Sequence, residues 1–202
     1  MADSFAYPVT DVEASPGITP SQTVGPFFHY ALPYDPGPAV AGPDRAGAVT
    51  LTGQVLDGQG EPVPDALVEI WQADERGEFV EQSGLYSEVS GDGFRGFGRC
   101  ATDEHGRYQF RTVKPAGVPT ADGRPQAPHI AMSVFARGML RRVVTRVYFA
   151  DESEANATDP LLEALDEARR PTLVATADGS GYRFDVRIQG ADETVFLDVF
   201  AR

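Results

Sequence analysis

The sequence predicts an all-β sandwich with one short helix near residues 160–170 and an extended N-terminal arm. Three observations predict it. Short runs rich in β-branched and aromatic residues recur along the chain, several alternating apolar and polar. Gly (21) and Pro (16) are frequent enough to punctuate many turns. Only one segment carries a clear helical period. The 202 residues suit a single sandwich domain at roughly 150 residues per domain, which we divide into an arm and loop (1–48) and the sandwich proper (49–202).

The arm begins with polar residues 1–18. Thr19–Phe28 follows, where Pro20, Gly25 and Pro26 oppose a regular helix. Phe27 and Phe28 are too apolar for water, so this stretch should dock onto something. Residues 33–47 hold four prolines and three glycines and read as an irregular surface loop. Strands are predicted at Val49–Leu56 and Ala66–Gln72, the turn Asp57–Pro62 between them suggesting a hairpin. The turn Asp103–Gly106 leads into a strand with Tyr108, Phe110 and Thr112 on one face and Arg107, Gln109 and Arg111 on the other. His129–Phe135 and Val143–Phe149 are two more apolar strands. Tyr182, Phe184, Val186 and Ile188 alternate with polar residues, the cleanest period-two signal in the chain. Thr194–Val199 reads as the last strand. Asp159 and Pro160 form a helix start, Leu161, Leu162, Leu165 and Ala168 share a face, and Pro171 ends the helix.

Composition excludes several function classes. A formal net charge of −13 opposes binding to nucleic acid or to an anionic membrane. No apolar run approaches the ~20 residues of a membrane helix. The single cysteine, Cys100, cannot form an internal disulfide, and no basic-then-apolar leader opens the sequence. We therefore expect a cytoplasmic protein. An anionic substrate remains compatible, because one arginine can dominate a local pocket.

No nucleophile elbow, phosphate loop, H-E-x-x-H or cysteine pair occurs. The histidines are His29, His105 and His129. His105 sits in an exposed-looking turn. His129 opens an apolar strand, where residues i and i+2 share a face and a His-x-His pair could hold a metal. Here the i+2 residue is Ala131, whose methyl group coordinates nothing.

Several segments together resemble the intradiol ring-cleaving dioxygenases: T-P-S-Q-T-V-G-P-F-F (19–28), L-V-E-I-W-Q-A-D (67–74), F-G-R-C-A-T-D (97–103), T-V-K-P (112–115), A-P-H-I-A-M-S-V-F-A-R-G (127–138), T-R-V-Y-F (145–149) and Y-R-F-D-V-R-I-Q-G (182–190). Within the family the chain is most similar to the α chains of heteromeric members that cleave protocatechuate. The resemblance implies a β-sandwich that pairs with a homologous β subunit. It implies that the β subunit carries the cofactor, a non-haem Fe(III) held by two tyrosines and two histidines, and that O₂ opens protocatechuate to 3-carboxy-cis,cis-muconate. Phenolates suit Fe(III) as hard anionic donors.

Carried over residue by residue, the tyrosine ligand positions fall at Tyr86 and Val118, and the histidine positions at His129 and Ala131. Gln126 replaces an arginine of catalytic chains. Valine and alanine have no lone pair, so the resemblance implies no metal site and no catalytic residue in this chain. It implies a substrate-binding role instead: Thr23, Gly25 and Pro26 would line the pocket of the partner's site, with Arg137 beside it to orient a benzoate. Arg137 lies eight residues past His129, on the same face if the strand were unbroken. Two other readings stay open: a self-sufficient iron enzyme recruiting Tyr86, Tyr108, His129 and a carboxylate, and a sandwich that only binds.

Overall fold

The computed structural model describes residues 22–23, 25, 27–80 and 89–199. The elements run α1 (Phe27–Ala31), β1 (Ala48–Leu56), β2 (Leu67–Trp71), β3 (Phe97–Ala101), β4 (Arg107–Val113), β5 (His129–Phe135) and β6 (Val143–Phe149). They continue with α2 (Ser153–Ala157), α3 (Pro160–Ala164), a 3-10 turn (Arg170–Leu173), β7 (Val174–Asp178), β8 (Gly181–Arg183) and β9 (Val186–Arg187). The strands connect in the order β3-β2-β5-β6-β7-β8-β1-β4, with β9 also on β1. Most pairings are antiparallel. β1 with β8, β1 with β9, and β6 with β7 are parallel.

The path folds into two facing layers, because alternate residues of each strand are apolar and need a partner face. Val68, Ile70, Ile130, Met132, Val134 and Val147 from the β3-β2-β5-β6 half meet Leu51, Val55, Tyr108, Phe110 and Val186 from the half built on β1 and β4. β5, expected as an apolar strand, alternates in burial. Ile130, Met132 and Val134 point into the core, leaving His129, Ala131, Ser133 and Phe135 on the outer face.

Several expectations are corrected. β1 and β2 form no hairpin. After one bridge, Leu56 to Pro62, β2 crosses to the other half, since β4 and β8 already occupy both edges of β1. The 182–189 run keeps its alternation but splits into β8 and β9, where the Asp185 carboxylate takes the Gln54 N–H (2.9 Å) that a ladder bond would use. Thr194–Val199 is no strand. Thr194 N–H bonds Arg187 O (3.0 Å) while Leu197 N–H bonds Val144 O (2.7 Å), so the segment passes from one half to the other. β3 and β7 were not foreseen.

The predicted helix start is right and its length is wrong. Asp159 accepts from Leu161 N (2.9 Å) and Leu162 N (3.2 Å), and Pro160 is the first helical residue. The helix stops at Ala164, because Glu163, Asp166 and Glu167 place negative charge where the C-terminal dipole disfavours it. Arg170 Nε caps the released Leu165 carbonyl (3.2 Å). A helix, α1, begins at Phe27, just past the residues that oppose one, and Phe28 docks into the protein as expected. The Pro-rich 33–47 segment is more than a surface loop: Val40 and Ala41 are buried.

Candidate functional site

Ladder pairing builds the outer face of the β3-β2-β5-β6 half. Phe97, Trp71, Ala131 and Arg146 stand in one cross-strand row. His129 stands opposite Tyr148 two pairs further along, on the same face. Trp71 is 44% exposed and stacks on exposed Phe79, with ring centroids 6.4 Å apart. Sequence reasoning missed this row, and the W-Q pair at the end of an apolar strand was its only signal.

His129 is fixed from two sides. Its Nδ1 donates to Ala127 O (2.8 Å), and its ring lies 5.6 Å from that of Tyr148. Burial, and then the nearby Arg146 charge, lower its pKa below 6.5. The ring is therefore neutral, with Nε2 as its lone-pair nitrogen. A ligand histidine is often held this way, through its other nitrogen to a carbonyl. The geometry around it does not supply the rest of a ligand set. Ala131 presents a methyl group, and half-buried Val118 an isopropyl group. Among the described residues no three His, Cys, Asp or Glu side chains converge as metal ligands. Tyr86 lies outside the described residues. Among the described residues, the side chains at these positions do not make up two phenolates and two imidazoles for a ferric ion.

Tyr148 completes the local support. Its hydroxyl donates to Asp159 Oδ1 (2.9 Å), and Asp159 Oδ2 accepts from Ala127 N (2.9 Å). Asp159 is 0% exposed, so one carboxylate ties β6, the β5 entry and α3 together. Burial pushes the Tyr148 phenol up, which keeps it a protonated donor.

The other predicted residues gather at the far end of β5, roughly 20 Å along the strand from His129. The strand breaks at Phe135, which corrects the expectation of a continuous face to Arg137. Ala136 turns inward, and Gly138 takes a φ of +88° that favours glycine. The Gly138 N–H donates to Thr23 Oγ1 (2.9 Å), so the turn holds the arm beside Arg137. The Arg137 side chain is 66% exposed, and its Nε pairs with Asp65 (3.0 Å). Nothing lies within 4 Å of where a Cβ on Gly25 would be. Thr23, Gly25 and Arg137 thus share one exposed end of the molecule. Pro26 lies outside the described residues.

Tyr108 is elsewhere. It is buried in the core between the layers, and its hydroxyl donates to Phe184 O (2.5 Å). Burial raises its pKa well above 10.0. It cannot join His129 around a metal, which removes the ligand set suggested for a self-sufficient enzyme.

Residues 24–190 match the family described as Dioxygenase. The chain is 46% identical over 198 residues to the protocatechuate 3,4-dioxygenase alpha chain of Burkholderia cepacia, covering 90% of this chain and 97% of that one. This chain belongs to the intradiol ring-cleaving dioxygenases. The family depends in general on non-haem iron. The alpha chain of Pseudomonas putida is 43% identical over 197 residues, covering 89% of this chain and 96% of its own length. The beta chain of the Burkholderia cepacia enzyme is 37% identical over 157 residues, covering 72% of this chain and 66% of the beta chain. Relatives of both chain types point to a heteromeric assembly. Among solved structures, catechol 1,2-dioxygenase from Pseudomonas arvilla C-1 shares the fold at a TM-score of 0.56 and 23% identity, covering 81% of this chain and 58% of that one. The dioxygenase domain of a Streptomyces sp. SirexAA-E fusion protein shares it at a TM-score of 0.55 and 24% identity, covering 86% of this chain and all of that domain. No helix among the described residues of this intradiol family member is long and apolar enough to cross a membrane.

Proposed function

We propose that this chain is the iron-free α subunit of a heteromeric protocatechuate 3,4-dioxygenase. A homologous β subunit with two tyrosine and two histidine ligands holds the Fe(III). The assembly inserts O₂ between the two hydroxylated ring carbons of protocatechuate, giving 3-carboxy-cis,cis-muconate. This chain contributes the wall and the charge of the pocket. Residues 1–48 contact the β subunit, with Thr23, Gly25 and Pro26 lining the substrate site. Arg137 exchanges Asp65 for the substrate carboxylate, a comparable partner for a guanidinium. The site works in the cytoplasm, where a lone thiol such as Cys100 stays reduced.

One observation carries this reading. The residues assigned to substrate are gathered at one exposed end of the protein, away from His129 and Ala131, where this chain's own metal site would be. A pocket used by a neighbouring chain needs that separation. A self-contained active site would bring the two sets together.

Two measurements test it. The chain purified alone should be colourless and free of stoichiometric iron, and should become part of a coloured, active enzyme with its β partner. Iron bound by the lone chain, with ring-opening activity, overturns the proposal. In the assembled enzyme, Arg137→Ala should raise the KM for protocatechuate about tenfold or more, the loss of one charge-assisted pair, with iron content unchanged. Kinetics equal to the parent's would remove Arg137 from the pocket.

A further inference from the structure

The Pro-rich segment that leads out of the arm lies in the gap between the two ends of the sheet path. Arg99 N–H on β3 donates to Gly37 O (3.0 Å), and Arg111 N–H on β4 donates to Pro38 O (3.0 Å). Val40 caps the core there at 0% exposure. Prolines cannot donate, so a segment with Pro33, Pro36, Pro38 and Pro43 forms few ladder bonds and leaves carbonyls unmatched.

Three guanidinium groups take up those carbonyls. Arg95, nearly buried, reaches Gly37 O (2.9 Å) and Ala39 O (3.1 Å) through one nitrogen. Arg111 reaches Pro43 O (2.8 Å). Arg99 Nη1 donates to Leu32 O (3.0 Å), while its Nε and Nη2 fork onto Glu69 Oε1 (2.8 and 2.6 Å). The Tyr34 ring lies between Arg95 and Arg99, 5.4 and 5.8 Å from their central carbons. A planar fork with five donors is suited to this work, and a lysine is not.

Leu32 immediately follows α1, and α1 immediately follows the arm. Leu32 N–H bonds Phe28 O (3.1 Å), and Phe28 N–H bonds Gly25 O (3.4 Å). The arm is thus held at one end by Thr23 on Gly138 and at the other by Leu32 on Arg99. We infer that Arg99, oriented by Glu69, is a positioning residue for the substrate pocket, fixing the arm so that Thr23 and Gly25 stand where the substrate meets them. This rests on the arm's proposed place in the partner's pocket. Arg99 touches no substrate itself and acts through α1.

The test is a double-mutant cycle in the assembled two-chain enzyme, using Arg99→Ala and Thr23→Val, with protocatechuate as substrate and iron content and thermal midpoint recorded for each variant. Arg99→Ala should raise KM about fivefold, the equivalent of one net hydrogen bond, with kcat and iron content near the parent's. Arg99→Lys, which keeps the Glu69 charge pair but loses the fork, should fall between. Because both residues act through the arm, the double variant should resemble the worse single variant instead of multiplying the two effects. Unchanged KM for Arg99→Ala beside a raised KM for Thr23→Val overturns the positioning role alone. Unchanged KM for Thr23→Val removes the arm from the pocket and the inference with it. If Arg99→Ala fails to assemble, Glu69→Gln, which leaves Arg99 in place without its orienting charge, must raise KM in the same direction. An unchanged KM there also overturns the proposal.

Discussion

His129 is held neutral by a carbonyl on one nitrogen, by burial and by a neighbouring arginine, and this has a measurable consequence. A base whose pKa is lower folded than unfolded binds more protons in the unfolded chain. Its contribution to stability is full above about pH 6.5 and is lost as pH falls below that value. The urea midpoint should therefore decline from about pH 7 toward pH 5, and His129→Gln should remove part of that decline. A decline of the same size in the variant would show that His129 does not titrate against burial. Ala131, two residues on, shows how much one side chain decides. Its backbone pairs with Trp71 and Arg146, and its methyl group stands on the face of His129 with no lone pair to offer. That His129 has no second imidazole beside it was readable before any coordinates, since facing along a strand follows from residue spacing alone.

At the scale of elements, Asp159 joins more than its own helix. It caps α3, receives Ala127 N–H at the entrance to β5, and accepts the Tyr148 hydroxyl from β6, all while fully buried. Asp159→Ala leaves those donors buried without a partner and should cost about 3 kcal/mol by urea unfolding. A cost under about 1 kcal/mol would reduce it to an ordinary cap. The sequence identified Asp159 as the cap because the Asp-Pro start is local. It could not show the other two bonds, which come from residues 32 and 11 positions away. The length of the helix was misjudged for a related reason. Apolar spacing suggested about three turns with one apolar face, while acidic residues at its end and the need to reach β7 stopped it early.

Across the whole molecule, β1 is the spine of one half, flanked by β4 and by β8 with β9. Gly53 makes that crowding possible. A Cβ there would lie 1.8 Å from Phe184 O and 2.6 Å from the Tyr108 hydroxyl. Gly53→Ala must push β1 away from residue 184 or break the Tyr108 bond. It should cost about 3 kcal/mol or more, seen as a lower thermal midpoint or insoluble protein. A variant as stable as the parent would mean that the layers shift freely, contrary to close packing.

The sequence by itself determined the all-β class, the facing of β1, β4 and β5, the Asp159 cap, the place of five strands, and that the residue sharing a face with His129 at position 131 is not a second histidine. Each depends on the two-residue or 3.6-residue periods of the backbone, or on the identity of one side chain. Only the tertiary structure decided that β2 leaves β1 for the other half, that β3 and β7 are strands, that Tyr108 is a core residue, and that Thr23 meets the Gly138 turn beside Arg137. Those facts depend on which strand edges and which carbonyls remain unsatisfied once the rest of the chain has packed. That competition between distant segments leaves no local trace in the order of residues.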